Sequence, residues 1–523
     1  MEVQIANIRM SVRRPESDLK TVVFKRFHIR EQNVETFRIL RSSIDARKKE
    51  NVMAEYRIYL KLKEEDTKLL QHPDVTRYTE PVPMTYTPWP HPFRPVVVGF
   101  GPAGMFAALY LARCKARPII LERGGRMDQR KQDVDNFLKN KILNPNSNIQ
   151  FGEGGAGTFS DGKLNTNTHN AYVRFVLQEF HLHGATEDVT YAQNPHVGTD
   201  YLEKVVTNIR EEIIALGGSF HFNTCFTDYE VTEGQPLTVH CDTGQTFTTE
   251  HLLLCIGHSA RDTIRHLYQK GVEMEAKPFS MGVRVEHLQQ RINDMQYGEF
   301  AKFLPPASYK GVVHLGERSV YTFCMCPGGT VLASTNDAET IVTNGMSEKR
   351  RDKSNANSAL LVGIEPADFV KESPLDGLNY QEKYERLAFQ VAGDYRAPAN
   401  LMKEFLDGSV ASGHRSVRPS YPHGVIYCDL KQCLPSFVVD SLRSAIPLFD
   451  RKMRGFSDPD AVLTGIESRS SSPVRINRDE NRQSCIRGIY PVGEGAGYAG
   501  GITSAAVDGL KTAISICTER INR

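Results

Sequence analysis

Between Arg94 and Gly125 the chain opens Arg-Pro-Val-Val-Val-Gly-Phe-Gly-Pro-Ala-Gly and closes Ile-Ile-Leu-Glu-Arg-Gly-Gly, and this stretch constrains the fold more than any other. Pro95 to Val98 is a short apolar run rich in β-branched residues, which suits a buried parallel strand. Gly99, Gly101 and Gly104 then follow the spacing Gly-x-Gly-x-x-Gly. The three positions serve a tight turn, close approach of backbone to a pyrophosphate, and close packing of helix on strand. Pro102 fits the first turn of a helix, and Ala103, Phe106, Ala107, Tyr110 and Leu111 repeat at helical spacing. A second apolar run, Pro118 to Leu121, ends in Glu122, about 20 residues past the glycines, where a carboxylate can accept from ribose hydroxyls. A tight turn without a ligand explains the glycines but not Glu122. An acid at this point argues against a 2′-phosphate, and so against NADP at this turn.

A chain of 523 residues is too long for one core, so two or three domains are expected. Net charge is +2, which gives no general argument for nucleic acid or an anionic membrane. No apolar stretch approaches bilayer length, and Met1 to Arg9 lacks a charged-then-apolar signal layout; a cytoplasmic protein is expected. The 10 cysteines are scattered, unlike a secreted disulfide framework, and no Cys/His spacing reads as a structural zinc site, so no metal is expected.

Residues 1–77 read as a small α+β module, ferredoxin-like in outline. Strands are expected over Val3–Val12 and near Tyr56–Leu62, and Leu19–Ile29 mixes a short helix signal with a strand over Val22–Ile29. Val34, Phe37, Leu40 and Ile44 predict a helix over Asn33–Lys48. Arg41 to Lys49 is locally basic, either a solvated face or an RNA or phosphate patch. Residues 78–94 are a proline-rich, stiff linker.

Residues 95–260, rejoined by 466–523, read as one nucleotide-binding domain. Arg126 to Lys141 is a polar helix that brings Arg126 and Arg130 near the expected pyrophosphate, beside Arg123. Phe151 to Leu164 repeats the glycine spacing at Gly152, Gly154 and Gly157, but Asn144-Pro-Asn-Ser-Asn precedes it and no helix follows. It reads as a loop, with Gly154, Gly155 and Lys163, whose backbone approaches a flat ligand; a surface turn is the plainer alternative. Helices are expected over His169–Gly184 and Thr199–Leu216, a strand over Phe220–Tyr229, and a hairpin from Pro236 to Thr249. His251 to His258 is a buried strand that turns at Gly257 beneath a cofactor.

Residues 261–465 read as a substrate domain, mostly antiparallel. Strands are expected over Phe279–Glu286, Val312–Leu315, Val320–Met325 and Thr330–Thr335, helices over Tyr380–Gly393 and Pro435–Phe449, and a polar loop over Arg351–Ser358. Cys324 and Cys326 lie on one face of a strand end, as a redox pair or thiolate base, or else as two small packed hydrophobes. His414 and His423 are acid/base candidates among loop residues. Arg469 and Arg475, within a serine-rich segment, can form a fork for carboxylate or phosphate, or belong to an ordinary polar loop. Gly488 to Ile502 leads into a helix, Thr503 to Cys517, with no later strand or acid. It reads as the last strand of the first nucleotide sheet, with a helix N-terminus offered to an electron-rich ligand edge.

Three pieces line up: Gly-Phe-Gly-Pro-Ala-Gly with Glu122, the Cys-Ile-Gly257 strand end, and Tyr-Pro-Val-Gly-Glu-Gly near the C-terminus. Together they resemble the glutathione-reductase-type FAD superfamily, in its single-nucleotide-domain branch. The longer signatures around Phe151–Leu164, Phe323–Gly329 and Gly493–Ile502 resemble a bacterial family of uncharacterised FAD-dependent dehydrogenases. The resemblance implies an α/β fold: a Rossmann-like FAD-binding domain with an inserted, mostly antiparallel α+β substrate domain and a small N-terminal α+β module. It implies that Gly99, Gly101, Pro102, Ala103 and Gly104 face the FAD pyrophosphate, Glu122 the adenosine ribose and Phe226 the adenine. Gly493 and Glu494 would lie along the ribityl and pyrophosphate region, where the superfamily commonly has Asp rather than Glu. Gly500, Gly501 and Ile502 would offer N–H groups to the pyrimidine edge of the flavin.

The expected function is an FAD-dependent oxidoreductase that moves a hydride between flavin and an organic small molecule, an anionic one if Arg469 and Arg475 form its fork. With one nucleotide domain, NAD(P)H would act as a diffusing reductant. The flavin is expected between the Gly152–Lys163 loop, the Cys324–Gly329 turn and the Arg469–Arg475 segment. The rival is a flavin redox sensor or RNA-associated flavoprotein that uses the N-terminal module, although nucleic acid has little support in the composition.

Overall fold

The computed structural model describes residues 1–165 and 170–519. Its first sheet has four antiparallel strands in the order Val34–Asp45, Met53–Leu62, Glu2–Ser11, Val75–Arg77. Helix Leu19–Phe27 connects the first two strands of the chain and a single helical turn, Thr67–Leu70, connects the last two, giving β-α-β-β-α-β connectivity. Leu19, Val23 and Phe27 form the buried helical stripe, so the strand expected from Val22 does not form. The segment expected to be a helix, Asn33–Lys48, is instead the edge strand Val34–Asp45. Its pairing slips between Val34 and Thr36 and again between Ile39 and Arg41. Each bulge shifts the period-two alternation, and the apolar spacing then imitates a helix. The basic stretch is therefore a strand end and a turn, with Arg47 paired to Asp45 at 2.8 Å.

The second sheet is parallel, in the order Ile489–Pro491, Leu252–Leu254, Val96–Val98, Ile119–Leu121, Ser219–His221. The last strand of the chain thus returns beside Leu252–Leu254, and the fold is Rossmann-like. Val97, Leu253 and Tyr490 face a helical layer built from Pro102–Arg113, Ile502–Thr518, Thr199–Ala215 and Ala171–Leu182. Val96, Val98, Leu252 and Leu254 face a three-stranded antiparallel layer of Phe226–Glu230, Leu237–Cys241 and Thr246–Thr249. Burial on both faces accounts for uniformly apolar strands. The single strand expected over Phe220–Tyr229 divides between these two sheets, at a left-handed turn where Asn223 takes φ 51. The helix expected from His169 begins at Ala171; His169 itself lies outside the described residues.

The inserted domain is built on a seven-stranded sheet in the order Val312–Leu315, Arg318–Cys326, Asn355–Ile364, Phe279–Leu288, Val462–Glu467, Ala397–Leu401, Val425–Tyr427. All its pairings are antiparallel except the last. Helices Asp376–Ala392 and Ser436–Lys452 pack on it. Arg351–Ser358, expected as a polar loop, runs into the central strand Asn355–Ile364. Its polar residues are buried because neighbouring strands satisfy them: Asn355 donates to Glu286 at 2.9 Å and Asn357 accepts from Arg284 at 2.9 Å. Thr330–Ala333 leaves the large sheet and pairs with Thr343–Met346 as a separate ribbon.

Helices Pro102–Arg113 and Ile502–Thr518 cross where Gly509 meets Ala103. A Cβ on Gly509 would stand 2.0 Å from the Ala103 carbonyl oxygen. Gly509→Ala is expected to destabilise the fold by about 1–3 kcal/mol through overpacking. Gly363→Ala, where an added Cβ meets nothing within 4 Å, serves as the neutral control. Urea denaturation midpoints compare the two, and equal midpoints would refute the crossing as drawn.

Candidate functional site

The glycine turn is closed by backbone at Gly99 and Gly104. Gly99 has φ 92, and a Cβ there would lie 2.5 Å from the Cys255 carbonyl oxygen. A Cβ on Gly104 would lie 1.9 Å from the Gly99 carbonyl oxygen, so helix and strand touch there. Gly101 precedes the helix with no capping side chain, and Pro102 occupies its first turn. The helix therefore presents unsatisfied N–H groups and the positive end of its dipole at the carboxyl end of the sheet, the arrangement that holds a pyrophosphate.

Glu122 is buried, and its carboxylate accepts from three backbone N–H groups: Phe100 at 2.9 Å, and Gly124 and Gly152 at 3.0 Å each. A carboxylate has about four acceptor sites, so capacity remains for a ribose hydroxyl. The main chain at Glu122 also accepts from Thr224 N–H at 3.0 Å. This contact carries the chain toward Phe226, whose ring is buried in the antiparallel layer.

The Gly152–Lys163 loop is packed rather than free. Gly154 N–H donates to the Phe100 carbonyl at 2.9 Å, and a Cβ on Gly155 would lie 2.9 Å from the Gly101 Cα. Further along, a Cβ on Gly157 would lie 3.2 Å from the Ile502 side chain. Arg130 holds this loop. It is fully buried and donates to the carbonyls of Asn148, Ile149 and Glu153 at 2.7–2.9 Å. Burial lowers it to about 10. The expectation that Arg130 faces a pyrophosphate is corrected: its fork is engaged by the loop's own carbonyls. Arg123 is similarly engaged, with Asp262 at 2.7 Å and stacked on Phe151 at 4.2 Å.

At the returning strand, Gly493 N–H donates to Asp508 at 2.8 Å, and Asp508 in turn binds Arg478 and Arg482 at 2.7 and 2.8 Å. Gly257, Gly500 and Gly501 border open space, with Gly257 at φ 71 and Gly501 at φ 100. Gly501 immediately precedes the 17-residue helix Ile502–Thr518. Burial pushes the Glu494 carboxyl up to about 7, against the opposing pull of the Gly501 N–H and Lys277. His258 Nε2 stands 3.9 Å from it. Burial, with Arg469 and Arg261 nearby, pushes His258 down to about 3, so its imidazole is neutral at physiological pH. His258 and Asp508 were not singled out in the sequence. The signal for His258 was its place directly after the Gly257 turn; the signal for Asp508 was a lone acid on an otherwise apolar helix.

The two cysteines come together at a bulge, where pairing slips between Phe323 and Cys326 and Cys324 takes φ 44. A positive φ on a non-glycine residue is strained. Arg284 donates to the Cys324 carbonyl at 2.9 Å, and Cys326 Sγ donates to the same carbonyl at 3.2 Å. The neighbouring Cys326 side chain, aided by Lys163 and Arg284 and opposed by burial, lowers the Cys324 thiol to about 5. The Cys324 side chain, together with burial, raises Cys326 well above the ordinary thiol range.

The other catalytic candidates fall elsewhere. Arg469 is buried with its fork closed on Glu385, at 2.7 and 3.0 Å, and it also binds Asp337 and Ser259. Arg261 shares Glu385 at 2.8 Å from the other side. Arg469 is therefore a joint between layers, not an open anion fork. The signal was on helix Asp376–Ala392, whose buried stripe carries Gln381 and Glu385 among apolar residues. Arg475 is half exposed and pairs with Glu275 at 3.0 Å. His414 is exposed, and His423 lies between the carbonyls of Phe137 and Tyr395 at 3.0 and 3.3 Å. Neither histidine joins the cysteines.

Comparison with known proteins adds the following. Residues 278–470 match the family described as FAD-dependent protein, C-terminal domain-like, and residues 2–61 match a domain of unknown function. A protein of Clostridium beijerinckii described as uncharacterized is 43% identical over 533 residues, covering 98% of each chain. Among solved structures, glycine oxidase from Geobacillus kaustophilus is 11% identical, covers 82% of this chain and 96% of that one, and gives a TM-score of 0.34. CtdE in complex with FAD is also 11% identical, covers 81% and 84%, and gives 0.32. These two likenesses are too distant to bear on cofactor or reaction.

The hydrogen bonds at Glu122 generate a test. Glu122→Ala leaves three backbone N–H groups without partners, at a cost of about 1–3 kcal/mol each when they are buried. FAD retention on dialysis is expected to fall by about tenfold or more, with a lower denaturation midpoint. Unchanged flavin content and midpoint would remove Glu122 from the cofactor site.

Proposed function

This chain belongs to the family of its Clostridium beijerinckii relative, a family of FAD-dependent proteins, and from that premise we propose a dehydrogenase or reductase of the glutathione-reductase-type superfamily that moves a hydride between FAD and an organic small molecule. The protein is an FAD-dependent flavoprotein. Its residues fit the cofactor on two observations: a glycine turn before a helix N-terminus in which Gly99 and Gly104 have no room for a side chain, and open space at Gly257, Gly500 and Gly501. Gly101 and the helix after it would hold the pyrophosphate, Glu122 the ribose, and the Gly501–Ile502 helix N-terminus the pyrimidine edge. Bound FAD would supply the two-electron chemistry of hydride transfer.

One observation carries the catalytic reading. A single loop runs from Gly155 against Gly101, past Gly157 against Ile502, to Lys163, whose charge acts on Cys324. The cofactor turn, the flavin-facing helix and the cysteine bulge are thereby linked over a few residues. In this reading Cys324 Sγ accepts the substrate proton as the hydride leaves, and Lys163 and Arg284 stabilise the thiolate. Glu494 and the neutral His258 orient polar groups beside the open glycines. NAD(P)H would be the visiting reductant only in the opposite, reductase direction, in which the organic molecule accepts the hydride. No helix among the described residues is long and apolar enough to cross a membrane.

The pH dependence follows from Cys324. An ordinary thiol ionises near 9.0, and Cys324 is lowered to about 5, so the thiolate is present at neutral pH and is lost as pH falls through about 5. A substrate panel screened by bleaching of flavin absorbance identifies the reductant. With that substrate, kcat/KM is expected to fall on the acid side near pH 5. Cys324→Ser is expected to lower kcat by about 10²–10⁴ with FAD content retained. Full turnover by Cys324→Ser would remove the proton-acceptor role, and failure of every panel member to bleach the flavin would count against the enzyme.

A further inference from the structure

At the opposite end of the parallel sheet lies a group that the flavin chemistry does not use. His91 comes from the proline-rich segment, and Glu250 and His251 from the start of the Leu252–Leu254 strand. One ligand atom from each of the three, a ring nitrogen from each histidine and a carboxylate oxygen from Glu250, lie within 4.8 Å of one another. The two imidazole centroids are 4.2 Å apart. The cofactor turn is at the carboxyl end of these strands, so this cluster is separate from it.

Each histidine has one nitrogen committed to a partner outside the cluster. His91 Nε2 faces the Ile516 carbonyl at 3.3 Å, and His251 Nδ1 faces the Tyr490 hydroxyl at 3.1 Å. Histidines that bind metals are held in this way, with the second ring nitrogen donating to a carbonyl or other acceptor and the first left as a bare lone pair. His251 is 6% exposed, and its Nε2 is buried without any partner among the described residues. Simple aromatic packing against Trp89, at 5.4 Å, leaves that nitrogen unsatisfied. Arg487 opposes a cation here, and Glu250 brings the one carboxylate of the cluster.

We propose that His91, Glu250 and His251 bind a divalent transition metal of the zinc type, bolting the proline-rich segment to the amino end of the parallel sheet. Two imidazoles and one carboxylate are a ligand set that zinc accepts, with water completing four-coordination. Spacing along the chain could not reveal this site, because His91 lies far in sequence from the other two ligands and only the fold brings them together.

The test titrates zinc sulfate into the full-length, FAD-loaded protein after dialysis against a chelator, followed by calorimetry. One zinc per chain is expected, with Kd below about 1 μM. His91→Ala is expected to weaken it by more than about 100-fold, since loss of a supporting residue alone costs 10–100-fold. Flavin absorbance is expected to stay unchanged, which separates this site from the cofactor site. If His91→Ala does not fold, Glu250→Gln decides, with an expected loss of about tenfold or more. No zinc uptake by the wild type, or wild-type affinity in the folded variant through thiols elsewhere, would overturn the proposal.

Discussion

The buried Glu122 carboxylate is the interaction on which the rest of the site depends. Its three N–H partners belong to three separate segments: the glycine turn, the end of the second parallel strand, and the Gly152 loop. Charged hydrogen bonds of this kind contribute about 1.5–3 kcal/mol each, and each partner would otherwise be an orphaned donor in the interior. One acid therefore sets the distance between the turn and the loop that covers it. The remaining capacity of the carboxylate is what a ribose hydroxyl would use.

Around that centre, the layers are joined by buried charge rather than by apolar contact alone. Arg130 stabilises the loop through carbonyls, Glu385 joins Arg261 to Arg469, and Arg284 pairs with Glu467 at 2.5 Å beneath the cysteine bulge. Breaking such a pair costs about 3–5 kcal/mol because the remaining charge has no solvent. These joints contribute position as much as stability. They hold the Cys324 bulge, the Gly152–Lys163 loop and the returning strand in register with one another.

The nucleotide sheet was legible in the sequence because its signals are local: apolar strand, glycine spacing, acid at the second strand end. The antiparallel hairpins of the inserted domain were legible for the same reason. What was not legible depended on partners far along the chain. Val34–Asp45 looked helical because two bulges break its alternation, and Asn355–Ser358 looked like a loop because Arg284 and Glu286 were needed to satisfy it. Arg469 read as a fork for a ligand because Glu385, its actual partner, lies on a different helix. His258 went unread beside a glycine that was read.

The central claim is that the glycine turn, Glu122 and the helix from Ile502 form one FAD site. The most direct measurement is the amount of cofactor released per chain when the purified protein is denatured, quantified by flavin absorbance and chromatography against FAD, FMN and riboflavin standards. One FAD per chain is expected. A colourless protein that takes up no added FAD, or one that releases FMN without adenine, would contradict it.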